Sequence, residues 1–286
     1  MFTTWILERW AWPGLLTFSV TLSLLFYGLG AGASYYWHFR YNRSRLMPDY
    51  VPNWRENRKA IWLSVINVIG SGLLILPLQL AVFSGHSQLY GPLMQRGWSW
   101  AVLSIAGALV FAETGIYWIH RVLHTPFLFR WLHHRHHRFR MPTPFVGFAS
   151  HPLDSFALTI PYHLYAFLVP MPEVAYLGFI GLASVWTLLI HDRVVWVPPR
   201  LVNNTGCHTV HHWYARHNYG NYFTFWDRLG NTYFDPMGLP RQFFAAKHGE
   251  RRRRAAGAVC EAQHPTAAHD IAPATTAGTT SVPGTP

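Results

Sequence analysis

The stretch WSWAVLSIAGALVFAETGIYWI, residues Trp98–Ile119, decides the fold. Its only charged residue is Glu113, and it is long enough to cross the hydrocarbon core of a bilayer, which takes about 20 residues of helix. Two charge-free stretches upstream, Gly14–Trp37 and Ala60–Phe83, have a similar length. Only 12% of the residues are charged, whereas soluble domains usually have about 25%. The sequence therefore predicts an all-α, multi-pass transmembrane helical bundle.

Two shorter apolar runs follow, Ser155–Val169 and Ala175–Ile190, with Pro170 and Pro172 between them. Neither run is long enough to span a membrane comfortably alone. We expect them to form a tight helical hairpin that enters and leaves the bilayer on one side. The alternative is a buried pair of helices in the core of a soluble protein.

The distribution of basic residues predicts the orientation of the spans. The net charge is +11, and the basic residues lie beside the apolar runs, which favours membrane loops over nucleic-acid binding. The loop between the second and third spans has one basic residue, Arg96. Cytoplasmic loops are enriched in Lys and Arg, so the two more basic loops are predicted to be cytoplasmic. Their basic residues are Arg40, Arg43, Arg45, Arg55, Arg58 and Lys59 in the first loop, and Arg121, Arg130, Arg135, Arg138 and Arg140 after the third span.

The chain divides into three regions by composition. Residues 1–110 are predicted to hold the N-terminal membrane spans, and residues 111–249 the catalytic region with the hairpin. Residues 250–286 begin with the run Arg251–Arg254 and continue with Ala, Thr, Pro and Gly. This composition does not bury a core, so we expect a disordered tail. Its arginines are expected either to contact anionic lipid headgroups or simply to be solvated.

Histidines form the most informative pattern in the chain. Thirteen of the 18 histidines fall between His120 and His217. Residues three and four apart share one face of a helix, so each cluster is predicted to direct its imidazoles toward one point. The third span and the second arm of the hairpin bring the clusters and His191 to one membrane surface, predicted to be cytoplasmic. The clusters are His120 and His124; His133, His136 and His137; and His208, His211 and His212.

Eight clustered histidines and His191 exceed the number of ligands that one metal ion takes. Two ions with four or five ligands each would use them all. Imidazole suits zinc, copper, iron and nickel, and a structural zinc site needs only four ligands. No carboxylate pair with bridging spacing accompanies the histidines, so a carboxylate-bridged bundle site is disfavoured. A His-rich di-metal cap that activates O₂ fits best. The segment His133–Arg140 alone has another interpretation, a basic patch for lipid or nucleic acid, but this leaves the third cluster unexplained.

Four acidic residues are candidates for orienting the imidazoles, because ligand histidines usually donate their second nitrogen to a carboxylate or carbonyl. Asp154, Asp192 and Asp227 lie near the clusters in sequence. Glu113 precedes His120 by seven residues and therefore lies on the same helix face. A hydrogen bond from Glu113 to a neighbouring helix is an equally good interpretation.

The motifs resemble the fatty acid hydroxylase superfamily of membrane di-iron oxygenases, and the likeness is greater to its sterol C-5 desaturase (lathosterol oxidase) branch. It covers about residues 113–236. The three histidine clusters indicate the superfamily, and the segments that contain PYH, IHD and NYGNYFTFWDR indicate the branch. The segments are IYWIHRVLH (Ile116–His124), TPF (Thr143–Phe145), HPLD (His151–Asp154), PYHLYAFLVP (Pro161–Pro170), WTLLIHD (Trp186–Asp192), HTVHH (His208–His212) and NYGNYFTFWDRLG (Asn218–Gly230).

The resemblance implies two iron ions held by the nine histidines named above. It adds His151 as a tenth candidate ligand, because this position is His across much of the superfamily. Three positions depart from the branch: Phe148 and Cys207 each replace a His, and Arg193 replaces the Gly after the IHD motif. These departures lie at the rim of the expected pocket, so they leave the substrate more open than the metal site. No catalytic residue beyond the metal ligands is predicted.

The activity implied by the resemblance is O₂-dependent desaturation of a lipid, with a sterol as the favoured substrate. Electrons must come from a partner, either cytochrome b5 or a ferredoxin-type protein, since the chain has no flavin, haem or iron–sulfur motif. The expected location is the endoplasmic reticulum or a bacterial inner membrane. Hydroxylation of a fatty acyl chain, a sterol methyl group or a carotenoid is the alternative reaction. A membrane metal transporter or sensor is the non-enzymatic alternative, but it should have histidines or acids in mid-span, where this chain has almost none.

Overall fold

A computed structural model describes residues 2–48, 50–197 and 200–236. The predicted tail, residues 250–286, lies outside the described residues. The described part of the chain is predominantly helical, with two-residue strands β1 (Leu89–Tyr90) and β2 (Met171–Pro172). The α-helices are α1 (Phe2–Tyr35), α2 (Arg43–Leu46), α3 (Trp54–Ala81), α4 (Trp98–Leu123), α5 (Pro126–Leu128), α6 (His134–His137), α7 (Pro152–Leu168), α8 (Glu173–Leu189), α9 (Thr205–Tyr214) and α10 (Phe225–Leu229). Short π-helical segments cover Tyr36–Tyr41, Val82–His86 and Phe129–His133, and a 3₁₀ turn covers Pro144–Val146.

Three helices are long and apolar enough to cross a membrane. With their π-helical extensions they cover Glu8–Tyr41, Trp54–His86 and Trp98–Leu123, and each contains one of the predicted spans. Large apolar side chains such as Leu29 and Val102 are exposed on their outer faces, where lipid would solvate them. The prediction of an all-α, multi-pass bundle is confirmed. The division suggested at residue 110 falls inside α4.

The two shorter apolar runs form the predicted helical hairpin, as α7 and α8. The turn between them lies beside the connection from α3 to α4. There β2 pairs in parallel with β1, and the indole Nε1 of Trp100 donates to the carbonyl oxygen of Pro170 over 3.0 Å. The hairpin turn therefore lies at the opposite end of the bundle from His120 and His191.

Close helix contacts place α7 in the middle of the bundle. α3 approaches the start of α7 at Gly70, where a Cβ atom would lie 2.6 Å from the ring of Pro152. α4 approaches α7 at Gly115, where a Cβ atom would lie 2.6 Å from the ring of Pro161. Only glycine allows the backbones to come so near. The connection that follows α3 also contacts the last turn of α7 through a hydrogen bond between backbone groups, so α3 and α7 run in the same direction away from the histidines.

At the histidine end, the segment from Pro144 to Ser150 closes the bundle. The hydroxyl groups of Tyr27 and Ser64 donate to the carbonyl oxygen of Phe145 over 3.0 and 3.1 Å. The Asn67 amide donates to the carbonyl oxygen of Phe148 over 2.9 Å. These bonds satisfy backbone groups that would otherwise be buried without partners. They hold the segment against α1 and α3, next to the histidine-rich cap.

Candidate metal centre

Four separate elements bring the clustered histidines to one end of the bundle. His120 and His124 lie at the C-terminal end of α4, and His191 follows α8 directly. The second cluster spans the π-helical segment and α6, and the third cluster lies on α9. Asn204 is the N-cap residue of α9, since its side-chain oxygen accepts from the backbone nitrogens of Gly206 and Cys207 over 2.8 and 3.1 Å. Such capping fixes where the helix starts, and with it the direction of the third cluster.

The nine histidines form two groups. In each group one nitrogen atom per residue can be chosen so that all lie within 4.8 Å of one another. Group one has five imidazoles and group two has four, and of these nine all except His124 are fully buried. Group one is His120, His124, His133, His137 and His211; group two is His136, His191, His208 and His212.

The two groups interlock, and this corrects the prediction that each cluster points to one place. His133 and His137 belong to group one, whereas His136 of the same cluster belongs to group two. The third cluster divides the other way, with His211 alone in group one. On a helix with 3.6 residues per turn, positions three and four residues along diverge by about 100°. The i and i+4 residues therefore share one group, while the i+3 residue faces the other.

Hydrogen bonds at Nδ1 define the orientation of four imidazoles. Nδ1 of His120 bonds to the carbonyl oxygen of Tyr219 over 2.8 Å, and Nδ1 of His191 to that of Thr187 over 2.6 Å. Nδ1 of His211 bonds to the carbonyl oxygen of His217 over 2.7 Å. A carbonyl oxygen only accepts, so Nδ1 must carry the proton. In the neutral imidazole Nε2 then presents a lone pair to its group.

The same reasoning applies to His133, whose Nδ1 lies 2.9 Å from the carboxylate of Asp154. Its Nε2 lies 3.1 Å from Nε2 of His120. When both imidazoles are neutral, as in metal ligands, their two lone pairs face each other across group one and a cation between them removes the repulsion. In group two, Nε2 of His208 is 2.9 Å from Nε2 of His191 and 3.1 Å from Nε2 of His212.

Buried ring nitrogens without hydrogen-bond partners also indicate that the groups bind metal ions. Among the described residues, Nε2 of His124, Nε2 of His211 and both ring nitrogens of His137 are buried without a hydrogen-bond partner. Buried polar atoms are nearly always paired. All three residues belong to group one, where a metal ion would satisfy one nitrogen of each. The close Nε2 atoms of His191, His208 and His212 fit a second ion in group two.

Burial favours the neutral form of six of these imidazoles, the form that metal ligands must have. It lowers the pKa of His191 to about 4. It also lowers the pKa values of the buried histidines on α6 and α9 well below their ordinary value, because the low-polarity interior disfavours the charged form and neighbouring imidazoles repel a second charge. These residues are His136, His137, His208, His211 and His212.

Three of the four predicted acids lie where they influence the site. Asp154 contacts His133 directly and also accepts a hydrogen bond from the Ser150 hydroxyl. Glu113 accepts from the backbone nitrogens of Tyr222 and Phe223 over 2.7 and 3.3 Å. It therefore tethers the loop after α9 to α4.

Asp227 holds the same loop from the other side. Its carboxylate accepts from the backbone nitrogens of Tyr219 and Gly220 over 2.8 and 2.9 Å, and from the hydroxyl of Thr232 over 2.7 Å. The carbonyl oxygen of Tyr219 is the partner of His120. Glu113 and Asp227 thus act on the imidazoles through the position of this loop.

Asp192 is turned away from the imidazoles. Its carboxylate accepts from the backbone nitrogen of Val194 over 2.8 Å and from the indole of Trp196 over 3.3 Å. Burial raises its pKa to about 7. The next residue, Arg193, has a φ of 63°, a left-handed conformation that glycine adopts without strain. This explains why glycine suits the position in the sequences that the motif resembles.

His151 does not join either group. It lies just before α7, where its Nδ1 accepts from the backbone nitrogen of Leu153 over 3.1 Å. A nitrogen used in this way caps the helix. We therefore leave His151 out of the proposed ligand set, and His134, which is exposed, is also outside it.

Sequence reasoning missed the partners that are backbone carbonyls, at Thr187, His217 and Tyr219. Every residue carries a carbonyl group, so no pattern of residue types marks these three. The ring of Tyr219 also packs 4.9 Å from the ring of His124. Tyr219 lies in the NYGNY segment that carried the family resemblance, which was the one available signal.

A cavity of about 280 Å³ opens beside both groups. At one end it is lined by His120 and His133 of group one and by His136, His191 and His208 of group two. From there it extends between α1, α3, α4, α7 and α8 past apolar side chains, including Ile75, Ile116, Leu158 and Ile180. A bound apolar molecule would thus lie with one part against the histidines and the remainder within the membrane bundle.

Comparison with known proteins identifies relatives of this chain. The family model described as fatty acid hydroxylase matches residues 105–232. A lathosterol oxidase of Mus musculus is 36% identical over 248 residues, covering 80% of each chain. A Delta(7)-sterol 5(6)-desaturase of Aspergillus fumigatus is 40% identical over 161 residues, covering 56% of this chain and 48% of the relative. One of Candida albicans is 42% identical over 166 residues, covering 57% and 43%.

The chain thus spans about half the length of these two fungal relatives and four fifths of the mouse relative. The family match includes all three histidine clusters and both arms of the hairpin. No solved structure matches the chain.

Proposed function

Since the chain belongs to the fatty acid hydroxylase family, we propose that it is a membrane-bound, O₂-dependent di-iron oxidase that introduces a C=C bond into a sterol ring. The curated relatives are named as sterol desaturases and lathosterol oxidases. The observation that carries the proposal is the pair of buried histidine groups at the mouth of a largely apolar cavity.

The ligands of the two iron ions are the nine histidines of groups one and two. When bound, the iron pair would supply the oxidising power to remove hydrogen from an unactivated C–H bond with O₂ as co-substrate. The chain itself supplies the geometry. Nε2 lone pairs face the ions, while Asp154 and three carbonyl groups hold the Nδ1 protons outside the groups. The metal does the difficult chemistry, and the protein contributes orientation and exclusion of water.

The reaction also requires an external reductant. Removing two hydrogen atoms from CH–CH and reducing O₂ to two waters consumes two further electrons and two protons. Cytochrome b5 or a ferredoxin-type protein would supply the electrons. Arg135, Arg138 and Arg140 are exposed on the segment that holds the second cluster, and a basic surface of this kind attracts an acidic donor. The same basic residues support a location of the cap on the cytoplasmic face, because cytoplasmic loops are enriched in Lys and Arg.

Expression in cells that lack sterol C-5 desaturase tests the proposal directly. The expected result is a sterol two hydrogens lighter with a Δ5,7 diene, read by mass spectrometry and ultraviolet absorption. A gain of one oxygen would instead support the hydroxylase alternative. Absence of any product in cells that contain the iron-loaded protein, a donor and O₂ would overturn the proposal. His137→Ala serves as the inactive control, because it removes a buried member of group one.

A further inference from the structure

His163 of α7 and Gln79 of α3 are two of the polar side chains that line the cavity. Asp154, which contacts His133, precedes His163 by nine residues, which is about 13 Å along a helix that rises 1.5 Å per residue. Gln79 lies nine residues beyond Gly70, the point where α3 touches the start of α7. Both side chains therefore lie at a similar depth, about 13 Å from the histidine groups.

His163 is held in one orientation by Tyr176. The hydroxyl of Tyr176 lies 2.5 Å from Nδ1 of His163, and both residues are buried, with exposures of 1% and 5%. A phenol is the natural donor to an imidazole nitrogen, so Nε2 of His163 carries the proton. Among the described residues, the one hydrogen bond found for the His163 ring is that of Nδ1 with Tyr176, and none is found for the side-chain amide of Gln79, which is half-buried. Two groups with unused hydrogen-bonding capacity thus line the same part of the cavity.

A purely apolar ligand would leave both groups unsatisfied, at a cost in binding free energy. We propose that His163 and Gln79 form a subsite for a hydroxyl group at the end of the substrate remote from the oxidised carbons. The inference rests on the proposed function. When the B ring of a sterol lies at the histidine groups, its 3-hydroxyl also lies near them, and the alkyl side chain reaches the subsite. The preferred substrate is therefore a sterol that is hydroxylated on its side chain.

Binding of two probes tests the subsite without requiring turnover. The probes are lathosterol and 25-hydroxylathosterol, titrated into the purified iron-loaded protein and followed by isothermal calorimetry. The structure leads us to expect about tenfold tighter binding of the hydroxylated probe, as one well-placed hydrogen bond in an apolar cavity provides. Equal affinity for the two probes would overturn the proposal.

His163→Phe and Gln79→Leu should each reduce the preference, because they weaken binding of 25-hydroxylathosterol and remove the cost that lathosterol pays at an unsatisfied polar group. Tyr176→Phe should partly reduce the preference for 25-hydroxylathosterol, since His163 then loses the contact that selects its tautomer. Ser184→Ala is the matched control, because Ser184 lines the same cavity but its hydroxyl already donates to the Ile180 carbonyl over 3.0 Å. Iron content and melting temperature verify that each variant is folded. An equal loss of affinity for both probes in the His163 and Gln79 variants would contradict the subsite.

Product analysis separates this proposal from the function on which it rests. A binding preference without a Δ5,7 product would contradict the proposed desaturase activity and support the subsite. A Δ5,7 product without a binding preference would support the desaturase activity and contradict the subsite. Oxygenation of the lathosterol side chain would place the 3-hydroxyl at the subsite, and would overturn the assignment of the subsite to a side-chain hydroxyl.

Discussion

Nδ1 of His133 lies 2.9 Å from Oδ2 of Asp154, and both side chains are almost completely buried. The carboxylate thereby selects the tautomer of His133 and makes its Nε2 a better electron donor. Asp192 has a carboxylate that is equally buried but bonds to Val194 and Trp196. Comparison of Asp154 with Asp192 therefore tests whether iron binding depends on a carboxylate that orients a ligand histidine, or only on a carboxylate near the site.

Asp154→Asn should weaken iron binding by about 10- to 100-fold, the usual consequence of losing a carboxylate partner of a ligand histidine. The measurement is iron per chain after dialysis against graded concentrations of a chelator. Asp192→Asn is the control, and it should retain iron like the native chain. Equal retention by both variants would show that the contact with Asp154 does not support the ligand.

The interlocking of the groups predicts different losses for neighbouring residues. His137→Ala should weaken binding of the ion in group one, and His136→Ala should weaken binding of the ion in group two, because these adjacent imidazoles face different groups. His134→Ala should leave both ions in place, since His134 is exposed. Iron analysis combined with Mössbauer spectroscopy would distinguish the two ions. The same spectral change in the His136 and His137 variants would refute the division into two groups.

Glu113→Gln should destabilise the protein by about 1–3 kcal/mol, the range for leaving buried hydrogen-bonding groups poorly matched. An amide has one acceptor oxygen, so it cannot replace both bonds from the carboxylate to Tyr222 and Phe223. Chemical denaturation in detergent measures the change. Glu8→Gln, at an exposed position of α1, should have little effect. An unchanged stability in Glu113→Gln would show that the tether contributes nothing.

The metal-free protein should lose stability as the pH falls below about 6.5. The lowered pKa of His191, about 4, means that the unfolded chain takes up a proton from pH 6.5 downward while the folded chain does not. The stabilising contribution is therefore complete above pH 6.5 and declines toward pH 4. The buried histidines of α6 and α9 act in the same direction.

Asp192 acts in the opposite direction, because its raised pKa of about 7 makes the folded state bind a proton first as the pH falls. Burial also raises the pKa of Asp227, so two aspartates act against six histidines, and the net expectation is a falling melting temperature from pH 7 to pH 5. Differential scanning fluorimetry of the chelator-treated protein checks this. The iron-loaded protein should be less sensitive in this range, since bound metal excludes protons from the imidazoles. A melting temperature independent of pH in the metal-free protein would contradict the burial of neutral histidines.

Local patterns in the sequence predict much of this architecture. Three long apolar runs predict three long helices, because a helix in lipid must satisfy its backbone internally and present apolar side chains outward. Pro170 and Pro172 predict the hairpin turn, since proline cannot continue a helix. The spacing of the histidines predicts imidazoles on shared helix faces. Each of these inferences depends only on residues a few positions apart.

What the sequence determined by itself is therefore the spans, the hairpin and the nine histidines as a set. Tertiary structure decided how that set divides, because the group that His136 or His211 joins depends on how α6 and α9 pack together. It also decided that His151 caps a helix and that Asp192 faces Trp196. Carbonyl partners such as that of Tyr219 arise only when a distant loop is tethered beside α4. The physical reason is that local periodicity determines which face a side chain occupies, while only packing determines what lies opposite that face.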